Sequence, residues 1–446
     1  MKKSILFFII LIIGCMLNAQ SQEVIYVSPT GTGDGKSWEN AAEFSAAALS
    51  AQSTENCQMW LKEGTYSFAE PVNFDGLFIY GGFSGNETEL SARNWHTHPA
   101  ILDGNNQVSV LRNRTTTTGD PVPTLLDGVT VQNGMSPSDA NGGGILSNNG
   151  TVLRNCIFRN NEAASSRNGA AVHCHIGTTT IENCLFVNNT SGGNGGAIQV
   201  GGGAKAILIN CTMANNKAAG MGGAIGTGAA NSNCTFINTV AWNNSSSLGF
   251  NSYAQNSDIN GGGTIISIHS AIESASTKFT DGDHENHTVL SQENVPGFAA
   301  ASTIIGKATN TSDEATAAAA SYALAKGSVC IDAGKSGEAP HLLLDLAGAA
   351  RVQGDGIDIG AYEFNAPPSG FAPAPLVQKM SVSVDGSDLY ISGVEAGEML
   401  RVFDAKGVLL HAQKVVSGDE YIRIRLAQPG VCFVCAGDET VKIAGR

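Results

Sequence analysis

A seven-residue pattern recurs along the chain at steps of 27 or 28 residues. Each copy opens with Asn-Cys, carries Phe or Met two residues beyond the Cys and ends in Asn-Asn; the clear copies begin at Asn155, Asn183 and Asn210. A worn copy begins at Asn238, and a related stretch begins at Asp127. Self-similarity at a fixed period of this size predicts stacked repeats, in which each repeat buries its apolar face against its neighbours.

The apolar pieces within each period have the composition of β-strands. They are short, rich in Ile, Val, Thr and Phe and bounded by Gly and Asn, and no piece sustains the three-and-four spacing of a helical repeat. A second, glycine-rich motif lies between the copies and begins at Gly142, Gly169, Gly195 and Gly222. Three short strands per period predict an all-β parallel β-helix whose coils are about 4.8 Å apart.

The spacing around the Cys assigns a direction to each position of the repeat. Three positions are predicted to point into the core, namely those of Leu153, Ile181 and Leu208, of Cys156, Cys184 and Cys211, and of Phe158, Phe186 and Met213. The Asn before each Cys then falls at a corner, where Asn tolerates the left-handed conformation and bonds to the amide of the next coil. We interpret the cysteine column as small buried hydrophobes, since it lacks any close pair of metal ligands.

The charge balance argues against a nucleic-acid partner. Lys and Arg total 25 against 39 Asp and Glu, the net charge is −14, and no basic stripe interrupts the chain. Residues 1–22 resemble a signal peptide, with Lys2 and Lys3 ahead of an apolar run too short to span a bilayer. Two processing routes are open, lipidation at Cys15 and cleavage near Ala19. We favour cleavage, because the C-terminal region described below resembles a sorting domain of proteins that are exported without a lipid.

Residues 23–103 are predicted to form an N-terminal cap and the first coils, with a helix from Trp38 to about Leu49 that Ser37 caps. The repeat signatures Gly-Gly-Ala-Ile and Phe-x-x-Asn, the latter at 158–161 and 186–189, resemble those of the polymorphic outer-membrane protein family. The resemblance covers roughly residues 24–245. It implies a right-handed, pectate-lyase-like parallel β-helix and adhesion to host or neighbouring surfaces.

The β-helix is predicted to run over 104–365 and to end in a closing module. Stretches 328–334 and 344–364 resemble the closing module of exported β-helix proteins at a set of positions, namely Asp345, Gly348, Arg351, Asp358, Gly360, Tyr362 and Glu363. We expect Arg351, among close carboxylates, to lock the last coil rather than to take part in chemistry.

A Pro-rich linker is predicted at 366–376, followed by a small antiparallel β-sandwich at 377–446. The words LYISG, VFDAKG and PGV resemble the C-terminal sorting domain of type IX secretion, although Cys432 stands where that family usually has Tyr. The resemblance implies the type IX machinery as a partner and passage through the periplasm without a lipid. It places the protein in the secreted fraction or on the outer face of the outer membrane, and leaves open whether the sorting domain is removed.

Two groups of residues are candidates for binding chemistry. The polar stretch 279–287 would lie on a loop and could bind calcium or substrate through Asp281, Asp283, His284, Glu285 and His287, although its spacing does not match the calcium-loop signature. His173 and His175 fall on one face of a strand, which suits two metal ligands, but no third ligand accompanies them.

The outward rows of the repeat carry no clustered acid pair. Arg154 and Glu182, on adjacent coils, are predicted to form a surface ion pair of little energetic value. Lyases and hydrolases on this scaffold need a base with calcium-binding acids or a pair of carboxylates. The sequence therefore favours a non-catalytic adhesin or glycan-binding protein that recognises an extracellular glycan or a host surface protein, with no cofactor other than calcium. The alternative is a polysaccharide lyase or glycoside hydrolase.

Overall fold

The computed structural model describes two compact units, which divide between Asn365 and Ala366. The described residues are 23–52, 57–113, 123–138, 140–148, 150–228, 231–248, 253–255, 264–273, 288–291, 294–339, 341–365, 381–385, 388–392, 399–404, 409–414, 422–425, 431–436 and 439–444. The predicted signal peptide, the 279–287 stretch with Asp281, Asp283, His284, Glu285 and His287, and the predicted linker lie outside them.

Four parallel sheets run along the repeat region of the described chain. Sheet 1 contains Val24–Val27, Gln58–Lys62, Phe78–Phe83, Thr124–Asp127, Thr151–Arg154, Thr178–Glu182, Lys205–Ile209, Asn233–Ile237 and Thr264–Ile268. Sheet 2 contains Gly64–Ser67, Ala100–Asp103, Val129–Gln132, Ile157–Arg159, Leu185–Val187, Thr212–Ala214, Val240–Trp242, Ala271–Glu273 and Thr288–Leu290.

The other two sheets have shorter strands. Sheet 3 contains Met135–Ser136, Glu162–Ala163, Thr190–Ser191, Lys217–Ala218 and Ser245–Ser246. Sheet 4 contains Val72–Asn73, Leu111–Arg112, Ile145–Ser147, Val172–Cys174, Ile198–Val200, Ile225–Thr227 and Tyr253–Gln255. One coil visits sheets 1, 2, 3 and 4 in turn before the chain re-enters sheet 1 beside its own previous strand. The predicted parallel β-helix is therefore confirmed.

Sheet 3 is a fourth strand per coil, where the sequence predicted three. Each of its five described strands is two residues long, and all but Met135–Ser136 follow an Asn-Asn pair, as Glu162–Ala163 follows Asn160 and Asn161. Asn160 has φ 54° and turns the chain a second time, which leaves only two residues to pair before the next loop. A pair of residues is too short to show the alternation from which strands are predicted.

The predicted inward positions are confirmed. Leu153, Cys156 and Phe158 and their counterparts on the next two coils are fully buried. The rings of Phe158 and Phe186 stack with centroids 4.8 Å apart and planes 4° from parallel. Burial raises the pKa of Cys211 to about 12, so its thiol stays protonated and packs as a small apolar group.

The corner asparagines adopt the predicted left-handed conformation. Asn155, Asn183, Asn210 and Asn238 have φ between 49° and 55°. Asn183 donates from Nδ2 to Asn155 Oδ1 at 2.6 Å, and Asn238 donates to Asn210 Oδ1 at 2.9 Å. These bonds join the side chains of successive coils along the corner between sheets 1 and 2.

A second asparagine ladder, which sequence reasoning missed, lies inside the core. Asn161, Asn189, Asn216 and Asn244 are buried, and each of the first three donates from Nδ2 to Oδ1 of the next at 2.8 to 3.0 Å. The same oxygens accept backbone N–H groups of the preceding coil at about 3 Å. Each asparagine of this ladder therefore satisfies buried polar groups of its neighbouring coil that would otherwise lack hydrogen-bond partners.

The cap helix is shorter than predicted and begins elsewhere. It spans Phe44–Ala51, and its N-cap is Glu43, whose carboxylate accepts from Ala46 N at 2.9 Å. Ser37 instead accepts from Asn40 N at 3.2 Å within a turn, so the predicted start at Trp38 is wrong. The helix does cover the first coil, because Phe44 packs against Tyr66 and Phe68 with ring centroids 5.8 and 5.1 Å away. A 3₁₀ turn follows later at Leu90–Ala92.

Residues 294–339 and 341–365, here called the strap, fold back along the outside of sheet 2. The strap contains two antiparallel strand pairs and one helix, at Phe298–Ala300 with Ser321–Leu324, at Val352–Gln353 with Gly356–Ile357, and at Thr311–Ala318. Its Tyr322, Leu346 and Ala361 pack against Leu185 and Val187 of sheet 2. The expectation that Arg351 locks the last coil is wrong, because Arg351 reaches Asn183 in the middle of the stack.

The second unit contains two antiparallel sheets. One pairs Ser381–Asp385, Asp388–Ser392 and Ile422–Arg425; the other pairs Leu409–Lys414, Met399–Asp404, Val431–Ala436 and Glu439–Ala444. Leu389, Ile391, Leu400, Val402 and Val434 are fully buried within them. The predicted fold class, a parallel β-helix followed by a small antiparallel region, is confirmed.

Candidate functional site on the outer face of sheet 1

A row of half-buried side chains follows one outward position of sheet 1 across seven coils. The members of this row, here called the apolar row, are Phe78, Leu125, Val152, Thr180, Ile207, Thr235 and Ile266. Each is directly paired in register with the next, and none is charged. At about 4.8 Å per coil the row extends for about 29 Å. The parallel stacking thus gives one long, uncharged strip that remains partly open to solvent.

A charged row lies beside it, two residues along each strand. Tyr80, Asp127, Arg154 and Glu182 are consecutive partners in register. Arg154 Nε lies 2.8 Å from Glu182 Oε2, and Arg154 Nη1 lies 4.0 Å from Asp127 Oδ2. The row therefore alternates in sign, so that each acid faces a guanidinium on the neighbouring coil.

The strap closes over one end of the charged row. His341 Nε2 lies 3.0 Å from Glu182 Oε2, and Glu182 is only 5% exposed. Burial alone would raise the pKa of Glu182, but the hydrogen bond from His341 and the charge of Arg154 lower it overall. The predicted ion pair between Arg154 and Glu182 is confirmed, but its predicted surface position is wrong, because the strap removes the acid from solvent.

The 3₁₀ segment forms a wall at the other end of the charged row. Arg93 Nη2 lies 2.8 Å from Asp127 Oδ1, and its guanidinium carbon is 5.2 Å from the Tyr80 ring centroid and 5.0 Å from that of Trp95. Trp95 Nε1 donates to Leu346 O of the strap at 3.3 Å. A cleft of about 460 Å³ lies here, and its lining residues are Glu89, Leu90, Ser91, Arg93, Trp95 and Leu344.

The charges of this face are arranged for binding or for holding the fold rather than for acid-base chemistry. Asp127 accepts from Asn155 Nδ2 at 2.8 Å in addition to its contact with Arg93. Glu182 is held between Arg154 and His341. A general base needs a carboxylate free to take a proton, and both acids are engaged in ion pairs. Among the described residues, no group of three His, Cys, Asp or Glu side chains could hold a metal ion.

The remaining sequence candidates lie away from sheet 1. His173 of sheet 4 pairs in register with Gln199, and the two residues are only 5% and 2% exposed. His175 is exposed, with its ring centroid 5.8 Å from that of His173. The candidates at 279–287 lie outside the described part of the chain, so the calcium prediction there stays a prediction.

Sequence reasoning missed three members of the sheet 1 face, namely Tyr80, Arg93 and His341. Asp127 occupies the same position of the repeat as Arg154 and Glu182. The alternation of charge along this row could therefore have been predicted from the spacings of 27 and 28 residues between these three residues. Arg93 and His341 lie outside the repeat, and no local pattern indicates which coil they contact.

Comparisons with known proteins do not identify a function. No family model matches the chain, and no curated protein matches it. Among solved structures, the crystal structure of pectate lyase Pel9A is similar at 14% sequence identity with a TM-score of 0.37, over 77% of this chain and 97% of that chain. The fold assignment therefore rests on the strand pairing of this chain itself. No helix in the described part of the chain is long and apolar enough to cross a membrane.

Proposed function

We propose that the protein is an exported cell-surface adhesin that binds an extracellular partner, without catalysis, through the apolar row of sheet 1. The observation that carries the proposal is the uncharged strip from Phe78 to Ile266. A long strip of partly exposed, uncharged side chains offers a surface on which a partner can bury apolar area. A strip of β-branched and aliphatic side chains matches the apolar centre of protein interfaces, so a surface protein is favoured over a glycan as the partner.

The surroundings of the strip support binding rather than turnover. The acids next to it, Asp127 and Glu182, are each paired with a guanidinium. The strap occupies the outer face of sheet 2, which removes a second long face from solvent. A polysaccharide lyase or glycoside hydrolase would need free catalytic carboxylates or a base beside a cleft.

The proposed location rests on the sequence. The resemblance of residues 1–22 to a signal peptide and of 377–446 to a type IX sorting domain supports export to the cell surface through that machinery. Truncation after Pro375 should leave the protein in the periplasm. Surface display of the truncated chain would exclude the sorting role of the C-terminal region.

The binding proposal is tested with fluorescently labelled protein on host epithelial cells and on neighbouring bacteria. Val152→Glu and Ile207→Glu place charge on the apolar row and should lower the apparent affinity by about tenfold or more, since burying an unpaired charge costs more than 1.4 kcal/mol. Val352→Glu is the matched control, because Val352 is an exposed apolar residue of the strap outside the row. Equal binding by all three variants would contradict the proposal.

Treatment of the target cells separates the ligand classes. Protease treatment should abolish binding if the partner is a protein, whereas loss only after glycosidase treatment would show a glycan ligand. The same protein is incubated with acidic and neutral polysaccharides and calcium, with reducing ends and unsaturated-product absorbance followed over time. Turnover of any of these polysaccharides would overturn the non-catalytic assignment.

A further inference from the structure

His173 and His175 form a close pair on the outer side of sheet 4, away from the apolar row. Their ring centroids are 5.8 Å apart, with ring planes inclined by 31°. A cation about 2.0–2.1 Å from one nitrogen of each ring lies about 3.2 Å from each ring centre, which puts the two centroids about 4.5–6 Å apart. The observed separation of the ring centroids therefore falls within the range for two imidazole ligands of one cation.

His173 carries a buried nitrogen without a partner. The residue is only 5% exposed, and its Nδ1 has no hydrogen-bond partner among the described residues. An unmade hydrogen bond of this kind costs about 1–3 kcal/mol. A coordinated cation would satisfy the nitrogen, which gives this orphan atom a physical reason to persist.

A glycine turn of the neighbouring coil lies against the pair. Gly201, Gly202 and Gly203 follow the adjacent strand, so three consecutive positions carry no side chain. A Cβ at Gly201 would lie 3.5 Å from His173 Cε1, which places this turn next to the ring. His175 is exposed, so water can fill the coordination positions that the protein does not supply.

We propose that His173 and His175 bind one divalent transition-metal cation, with water completing its coordination. Imidazole nitrogen suits Cu²⁺, Ni²⁺ and Zn²⁺, and the general order of affinity places Cu²⁺ first. The site is independent of the proposed adhesive face, since neither histidine belongs to sheet 1. Calcium is excluded as the ligand because it takes oxygen donors.

The test uses the full chain, purified through a histidine-free tag and stripped with a chelator. Titration with Cu²⁺, followed by calorimetry and by electron paramagnetic resonance, should give one saturable site with nitrogen hyperfine coupling. His173→Asn and His175→Ala should each lower the Cu²⁺ affinity by about tenfold or more, since even an outer partner of a metal site is worth about that much. His96→Ala, at an exposed histidine outside the pair, should leave the affinity unchanged.

Circular dichroism of each variant separates loss of the site from loss of the fold. A folded His175→Ala that binds Cu²⁺ as tightly as the parent would overturn the proposal. So would equal weakening by His96→Ala, which would show scattered surface binding, or a spectrum without nitrogen coupling.

Discussion

Arg351 donates a hydrogen bond to the side-chain oxygen of Asn183, a residue 168 positions earlier in the chain. The same guanidinium contacts Glu363 at 3.1 Å and donates to Gly360 O at 3.1 Å. Arg351 belongs to the strap and Asn183 to the corner between sheets 1 and 2. One buried cation therefore fastens the strap both to itself and to the middle of the stack.

Replacing Arg351 should be strongly destabilising. Arg351→Ala leaves Asn183, Glu363 and Gly360 without a buried donor, and should lower the free energy of unfolding by about 3 kcal/mol or more. The midpoint of urea unfolding measures the loss. Lys36→Ala removes a basic residue whose side chain is 84% exposed and should leave the midpoint unchanged. Equal midpoints for the two variants would show that the guanidinium does not hold the strap.

The stability of the protein should fall as the pH rises from about 6.5 to about 8. Burial raises the pKa of Glu363 from its ordinary 4.5 to about 8 despite the attraction of Arg351, and burial also raises the pKa of Asp358. Folding therefore favours the protonated carboxyl, and this stabilisation is complete below pH 4.5 and lost as the pH passes through 8. Two groups act in the opposite direction at lower pH. Burial lowers the pKa of His173 from its ordinary 6.5 to about 3, and the hydrogen bond from His341 and the charge of Arg154 lower the pKa of Glu182 despite its burial.

Glu363→Gln isolates that contribution. The amide keeps the size of the protonated acid but cannot ionise, so the pH slope of the unfolding midpoint between 6.5 and 8 should become shallower. The slope that remains reports the other titrating groups. A Glu363→Gln profile parallel to that of the parent would show that Glu363 does not titrate in this range.

Removing one rung of the buried asparagine ladder should cost about 3 kcal/mol. Asn189→Ala withdraws the acceptor of Asn161 N and Nδ2 and the donor to Phe158 O, so three buried polar groups lose their bonds. Urea unfolding of Asn189→Ala measures the cost, with Asn86→Ala at an exposed asparagine as the control. A loss of unfolding free energy no larger than that of the control would mean that water satisfies the polar groups that Asn189 binds.

Corner residues should tolerate glycine better than alanine. Asn160 has φ 54°, and its Oδ1 is buried without a partner among the described residues, so little is lost with its side chain. Asn160→Gly should leave the unfolding midpoint near that of the parent, whereas Asn160→Ala should cost about 1–2 kcal/mol because alanine disfavours the left-handed region. Equal midpoints for the two variants would show that the corner relaxes to an ordinary conformation.

The repeat made the stack predictable because its information is periodic. Leu153 and Ile181 occupy the same place on adjacent coils, and a fixed step along the chain becomes a fixed step in space. The corner at Asn183 followed from the one-residue break in phase. The cap helix was misplaced because Ser37 and Glu43 can both cap, and only packing of Phe44 against the first coil decides between them.

The strap and much of the candidate site were beyond sequence reasoning. His341 meets Glu182 across 159 residues, and Trp95 meets Leu346 across 251. Neither contact follows from periodicity, propensity or local turn chemistry. An aperiodic segment can lie along any face of a stack, and the choice depends on side chains that are distant in sequence.

The contacts of the strap depend on the number of coils in the stack. The strap bonds to Trp95, Thr212, Asn238 and His269, on coils far apart in the stack. Ordinary solenoids gain or lose a repeat with little penalty because each repeat touches only its neighbours. Here a coil added or deleted between those partners would change their spacing by about 4.8 Å, so that the strap could no longer bond to all of them. The strap thereby constrains the number of coils in this part of the stack.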